Sequence, residues 1–200
     1  MKTLLPKGEY SKEFLKFFDY AVEYLEKHNK KLEIHNVSYL KKEGKCGGYF
    51  DGDKIVIAGK SSNFCQIFLH EWSHGNQIVE DSPLLYKEFY WDRFEIDSFN
   101  DLYNLILIER DCEVRSLKTS KKWNLFNPIE LSKRANSYLF LHQFIFLKKR
   151  YISMPDLHAK EILDLMPDKI VSAKSLKKID MDIMLVFDSL LKKSRGKSKT

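Results

Sequence analysis

Apolar residues recur along the chain with two periods, and the changes of period divide it into elements. Over 11–28 (SKEFLKFFDYAVEYLEKH), Phe14, Phe17, Phe18, Ala21, Val22 and Leu25 return every third or fourth position. That is the stripe of an amphipathic helix, with Ser11 placed to cap it. Residues 32–40 read as extended, with Ile34 and Val37 turned inward. The stretch 44–59 (GKCGGYFDGDKIVIAG) reads as a strand pair that turns at Asp51-Gly52, with 54–58 as the β-rich second strand. Helical spacing returns over 61–78 through Phe64, Ile67, Phe68, Glu71, His74 and Ile78, with Ser61 or Ser62 as its cap. Asp81-Ser82-Pro83 interrupts the pattern, and further helices are predicted over 84–95, 98–118 and 128–151, with 120–128 as a loop. Short helices over 156–165 and 175–191 and a frayed basic tail over 191–200 complete the chain. The predicted class is α+β and mainly helical, with a small sheet in the N-terminal half. The expected domains are a core over 1–120, a helical extension packed on it over 121–190, and the tail over 191–200.

Composition narrows the function classes. A chain of 200 residues with 44% hydrophobic and 31% charged residues is large enough for a real core and typical of a soluble globular protein. No apolar run is long enough to span a bilayer, which excludes a channel or transporter. The first residues contain no apolar segment of secretory type, so the expected compartment is the cytoplasm and no membrane partner is expected. Three cysteines, Cys46, Cys65 and Cys112, form no close pair and read as free thiols. The charge is uneven. Residues 61–113 carry 3 basic and 11 acidic side chains, whereas 114–200 carry 19 basic and 8 acidic. An acidic middle suits a bound cation. The basic rear, including Lys148-Lys149-Arg150 and Lys177-Lys178, suits weak contact with nucleic-acid phosphates or is a solvated lysine-rich face.

The sharpest chemical feature is His70-Glu71-Trp72-Ser73-His74, an H-E-x-x-H motif inside a predicted helix. Residues i and i+4 share a helix face, so two imidazoles can converge on one tetrahedral ion. Glu71 stands beside the first ligand without occupying a coordination position, as a general base should. Imidazole suits zinc and also other first-row metals. A catalytic site needs a third protein ligand and an open position. The downstream helix offers Glu109 and Glu113 within ILIERDCEVRSL, on the face marked by Leu102, Leu105 and Ile106. Glu109 is the expected third ligand. Glu113 is either that ligand or the acceptor for the second ring proton of a ligating histidine. Asp111 is held in reserve, and the bland alternative for Glu109 is an ion pair with Arg110, Arg115 or a lysine. Tyr138 and His142, four apart on the 128–151 helix, are candidate catalytic helpers, although each suits the core equally well. Trp72, Trp91 and Trp123 read as core, and His28, His35 and His158 as surface residues.

His70–His74 together with Glu109 and Glu113 resembles the gluzincin branch of the zincin metallopeptidases, where a second helix supplies a metal-binding glutamate and, four residues on, an aspartate. Here a glutamate stands in the aspartate place. In scale the chain is similar to the short zincins of phages and mobile elements, the immunity-repressor peptidases. That likeness covers about residues 10–120 at fold level and the two helices at motif level. The resemblance implies zinc as the cofactor, a protein or peptide as substrate, and Glu71 as the acceptor of the attacking water's proton. It also implies that the peptide lies along an edge strand, Lys54–Ala58 or its neighbour. Two other readings stay open: a non-catalytic zincin-like domain kept for structure or protein contact, and a basic nucleic-acid-binding helical protein in which the motif is accidental.

Overall fold

The computed structural model describes residues 5–41, 45–80, 98–149 and 157–197. The predicted 84–95 helix, the 81–83 break and Trp91 lie outside them. Helix α1 (Lys12–Lys27) forms where the apolar stripe predicts it. Ser11 Oγ accepts the Phe14 N–H at 3.1 Å, and Phe14, Phe17, Phe18, Ala21 and Leu25 are buried. The helix ends as Asn29 turns left-handed (φ 55°) and the Lys30 N–H returns to the Leu25 carbonyl at 2.8 Å. The chain then enters β1 (Lys31–His35). Within the predicted extended stretch, residues 36–39 are therefore not strand.

A small antiparallel pair follows, β2 (Leu40–Lys41) with β3 (Lys45–Cys46). Strands β4 (Gly48–Phe50) and β5 (Lys54–Ala58) form the predicted hairpin. Its turn is built by Asp51 Oδ1, which accepts the N–H groups of Asp53 and Lys54, and by Gly52 at φ 94°. Strand β1 joins β5 in parallel, with Lys31 opposite Lys54 and His35 opposite Ala58, giving the order β1-β5-β4. Strand β5 is thus central and nearly all buried, while β1 and β4 are the edges of this sheet. An extended peptide cannot add to β5 itself, so of the expected docking strands only the neighbours of β5 retain an edge.

Helix α2 (Phe64–Val79) starts later than expected. Its N-cap is Asn63 rather than Ser61 or Ser62, and the Ser61 hydroxyl accepts the Asn63 N–H at 3.3 Å just ahead of the helix. Helix α3 (Phe99–Trp123) runs past its predicted end into the expected loop. The Trp123 ring rests against Phe17 and Tyr20, and the helix stops where Asn124 turns left-handed. Helix α4 (Pro128–Lys148) is capped by Asn127, whose Oδ1 accepts the N–H groups of Ile129 and Glu130, and it ends at left-handed Lys149. A short α5 (Lys160–Leu163), a 3₁₀ turn over Ser175–Lys177 and α6 (Met181–Lys197) follow. Residues 191–197 are thus helical rather than a frayed tail, because Met184, Phe187 and Leu190 anchor the preceding turns.

The chain forms two compact units, residues 1–94 with 112–126, and residues 95–111 with 127–200, so α3 contributes to both. In the first unit Phe14, Phe17 and Phe18 of α1 meet Phe68 of α2, with Phe18 and Phe68 centroids 4.8 Å apart, and Phe17 also meets Trp72 edge-on. Each such fully buried ring contributes about 2–3 kcal/mol of apolar transfer free energy. The second unit buries Leu102 and Ile106 of α3 with Leu139, Phe140 and Phe144 of α4 and with Ile183, Met184 and Phe187 of α6. Asn136 is fully buried there and donates to the carbonyls of Pro167 and Lys169 while accepting the Val171 N–H, which brackets the loop after α5. Among the described residues no helix is long and apolar enough to cross a membrane. The molecule is mainly helical, with a small N-terminal sheet, the H-E-x-x-H helix and a glutamate-bearing helix after it. This order is consistent with a zincin-like layout.

Candidate metal centre

The centre is built on α2, which follows β5 after a turn at Gly59. One helical turn separates His70 from His74, and their rings stand nearly perpendicular with centroids 4.7 Å apart. Their Nε2 atoms are 3.1 Å apart. Each Nδ1 faces an oxygen. His70 Nδ1 lies 3.0 Å from Glu113 Oε1, and His74 Nδ1 lies 2.8 Å from Gln77 Oε1. With both Nδ1 atoms donating, both Nε2 lone pairs point at each other across a gap that only a proton or a cation can bridge. Two nitrogens bound at about 2.0–2.1 Å to one tetrahedral ion stand roughly 3.3–3.4 Å apart, close to the spacing found.

The Glu113 half of α3 is locked onto α2 by small and polar side chains. Ser116 Oγ donates to Ser73 Oγ at 2.9 Å, and Ser73 Oγ donates to the Leu69 carbonyl at 2.8 Å. Arg115 donates to Asn76 Oδ1 at 2.9 Å and pairs with Glu80, while Asn76 also donates to the Tyr24 hydroxyl. Cys112 Sγ lies 3.2 Å from the His70 carbonyl and 3.7 Å from His70 Nδ1. His70, His74 and Cys112 bring one ligand atom each within 4.8 Å of one another, a group able to hold a metal ion. The sulfur, however, stands on the Nδ1 side of His70, beside Glu113, whereas the paired lone pairs lie on the Nε2 side.

The electrostatics agree with a site for positive charge. Burial alone lowers the His70 pKa, but the neighbouring Cys112 and the Glu113 carboxylate outweigh it and hold the pKa well above the ordinary histidine value. What favours a proton on this ring favours a metal ion there as well.

Glu71 is buried, and it faces the edge strand β4. A methyl group added at Gly48 would stand 3.1 Å from Glu71 Cγ, 3.3 Å from its Oε1 and 2.7 Å from Ile67 Cγ2. Gly48 is therefore what lets the glutamate and the strand backbone approach so closely.

The two candidate glutamates of α3 are both buried, one helical turn apart. Glu113 places Oε1 against His70 Nδ1, while Glu109 falls in the second unit. Arg110 donates to the Val171 carbonyl, and Arg115 pairs with Glu80. Tyr138 and His142 also belong to the second unit, where their rings meet with centroids 4.8 Å apart. His158 is not simply a surface residue. It is partly buried against Ser137, and burial, aided by Arg134, pushes its pKa down to about 4. Two residues at the centre carried no functional reading in the sequence, Gln77 and Cys112. The spacing 109-112-113-116 on one face of α3 is the signal for Cys112, and nothing comparable marks Gln77.

The chain matches no known protein family, no curated protein and no solved structure.

Proposed function

We propose that this chain is a metal-dependent peptidase, with zinc as the ion, held by Nε2 of His70 and His74. The observation that carries the reading is the pair of opposed Nε2 atoms 3.1 Å apart, each with its Nδ1 engaged by an oxygen. Neutral imidazoles suit zinc, and an acceptor behind each ring is the usual means of orienting such ligands. When bound, such an ion supplies Lewis acidity toward a carbonyl oxygen and lowers the pKa of water toward neutrality.

The remaining work falls to the protein. Glu71, next in sequence to the first ligand and held against Gly48, accepts a proton from the attacking water and delivers it to the leaving amine. Burial limits the access of bulk water to this carboxylate. The β4 edge beside Glu71 offers backbone groups to an extended peptide, which would align a scissile bond with the base.

A second reading is a structural site in which a Cys112 thiolate joins the two histidines, and the position of its sulfur beside His70 favours it. X-ray absorption on the zinc-loaded chain separates the two. The peptidase reading expects two nitrogens and oxygen scatterers with no sulfur near 2.3 Å. Glu71→Gln then tests catalysis, since it should keep the zinc and lose hydrolysis of an unstructured protein substrate such as casein. A sulfur shell, or unchanged hydrolysis in Glu71→Gln, removes the proposal.

A further inference from the structure

We infer that Gln77 is a positioning residue that holds His74 in the one tautomer whose Nε2 can donate a lone pair to a cation. The inference deepens the metal reading and gives Gln77 its purpose there, but its first test does not depend on that reading. A neutral imidazole carries one proton, on either nitrogen, and the group facing the other nitrogen decides which. Gln77 lies three residues after His74 on α2, is fully buried, and places Oε1 2.8 Å from His74 Nδ1. An amide oxygen can only accept, so the proton sits on Nδ1 and Nε2 is left with its lone pair. Were a donor there instead, the proton would move to Nε2 and close that atom as a ligand. With Gln77 out of solvent, bulk water cannot take over the role.

The two rings are held by unlike partners, and that gives the inference its content. His70 faces a carboxylate brought by α3, which supports positive charge on its ring. His74 faces a neutral amide on its own helix, which fixes a tautomer without drawing a second charge into the site. The spacing of His74 and Gln77 is set by helix geometry alone, so this half of the centre is formed as soon as α2 is.

The test uses the full chain, metal-free, with ¹⁵N-labelled histidine. Long-range ¹H–¹⁵N correlation spectra at pH 7.5 report which nitrogen of His74 is protonated, and competition with a chromophoric chelator gives the zinc affinity. The expected wild-type result is the Nδ1–H form. Gln77→Met, close in volume but unable to replace the amide oxygen, should lose that form and bind zinc roughly 10–100-fold more weakly. Gln77→Glu, which still accepts, should keep the Nδ1–H form. A wild-type His74 in the Nε2–H form overturns the inference without any variant, which keeps it testable should Gln77→Met fail to fold. A folded Gln77→Met with the wild-type tautomer and zinc affinity also overturns it. A wild type that shows Nδ1–H but takes up no zinc sinks the metal reading and leaves the positioning role of Gln77 standing.

Discussion

Replacing Glu113 should weaken metal binding in graded steps, and the steps follow from its contact with His70. The carboxylate is buried, and its Oε1 accepts the His70 Nδ1 proton at 3.0 Å. Glu113→Gln keeps the shape and an acceptor oxygen but removes the charge. A charge-assisted hydrogen bond is about twice as strong as a neutral one, so the loss is about 1–1.5 kcal/mol, roughly tenfold in affinity. Glu113→Ala removes the acceptor as well and should reach about a hundredfold, the upper range for lost outer partners of ligating histidines. A competing effect sets the pH dependence. Glu113 and Cys112 also hold the His70 pKa above its ordinary value, so below that raised pKa a metal must displace a proton from the wild-type ring. Without Glu113 the pKa falls and this competition weakens. The affinity gap between wild type and Glu113→Ala should therefore be widest at alkaline pH and shrink as pH falls. Chelator competition at pH 6, 7 and 8 measures it, with Glu33→Gln, a half-buried glutamate of β1 paired with Lys54, as the control. A Glu113→Ala protein that binds zinc as tightly as wild type at pH 8, or a gap that widens toward pH 6, refutes the reasoning.

Two further outcomes are expected. Gly48→Ala places a methyl 2.7 Å from Ile67 and 3.1 Å from Glu71, an overpacking that costs about 1–3 kcal/mol. Gly75→Ala meets nothing closer than Leu25 Cδ2 at 3.3 Å and removes a helix-interior glycine, so it should cost less or stabilise. Thermal melts that rank the two the other way would undo this account of the β4–α2 approach. His158 gives a pH prediction. Ser137 Oγ donates to the Arg134 carbonyl, so the His158 ring donates its Nδ1 proton to that hydroxyl, and the folded pKa is pushed down to about 4. Above pH 6.5 the ring is neutral in both states and contributes nothing to the pH dependence. Between 6.5 and 4 only the unfolded chain takes up the proton, so stability falls by up to about 3 kcal/mol, and less for a ring that is partly exposed. Urea titrations at pH 7 and 4.5 should show His158→Asn losing that part of the slope, and an unchanged slope would assign the acid sensitivity to other groups.

What the sequence revealed of the fold was what local pattern controls. The stripe over Phe14–Leu25, the Asp51-Gly52 turn and the helical spacing around His70 each depend on neighbours within a few residues, and each appears as read. The parallel pairing of β1 with β5 could not be read, because 18 residues (36–53) separate the strands and nothing local encodes their register. Ends shifted where tertiary contacts decide them. Helix α3 continues to Trp123 because that ring is held by Phe17 and Tyr20, a contact made across more than a hundred residues of sequence.

The centre divides along the same line. The two histidines were legible because one helical turn brings them together whatever the rest of the chain does. Glu113 was legible as a carboxylate on an apolar face, although its two candidate roles became distinct only when His70 Nδ1 was found opposite it. Gln77 was not legible, since a glutamine three residues beyond a histidine is commonplace on any helix and becomes informative only when buried with its oxygen on a ring nitrogen. Cys112 shows the reverse. It was visible on the correct face of α3, yet a thiol there is ordinary packing until its sulfur is placed relative to the ring. That placement is on the Nδ1 side, where Glu113 already accepts the ring proton. For Cys112 to bind an ion together with His70, that hydrogen bond would have to break, leaving a buried carboxylate without its ring partner at a cost of a few kcal/mol. Coordination through the two Nε2 atoms keeps both Nδ1 contacts intact. This difference in cost, rather than the proximity of the sulfur, is why coordination through the two Nε2 atoms is preferred over a set that includes Cys112.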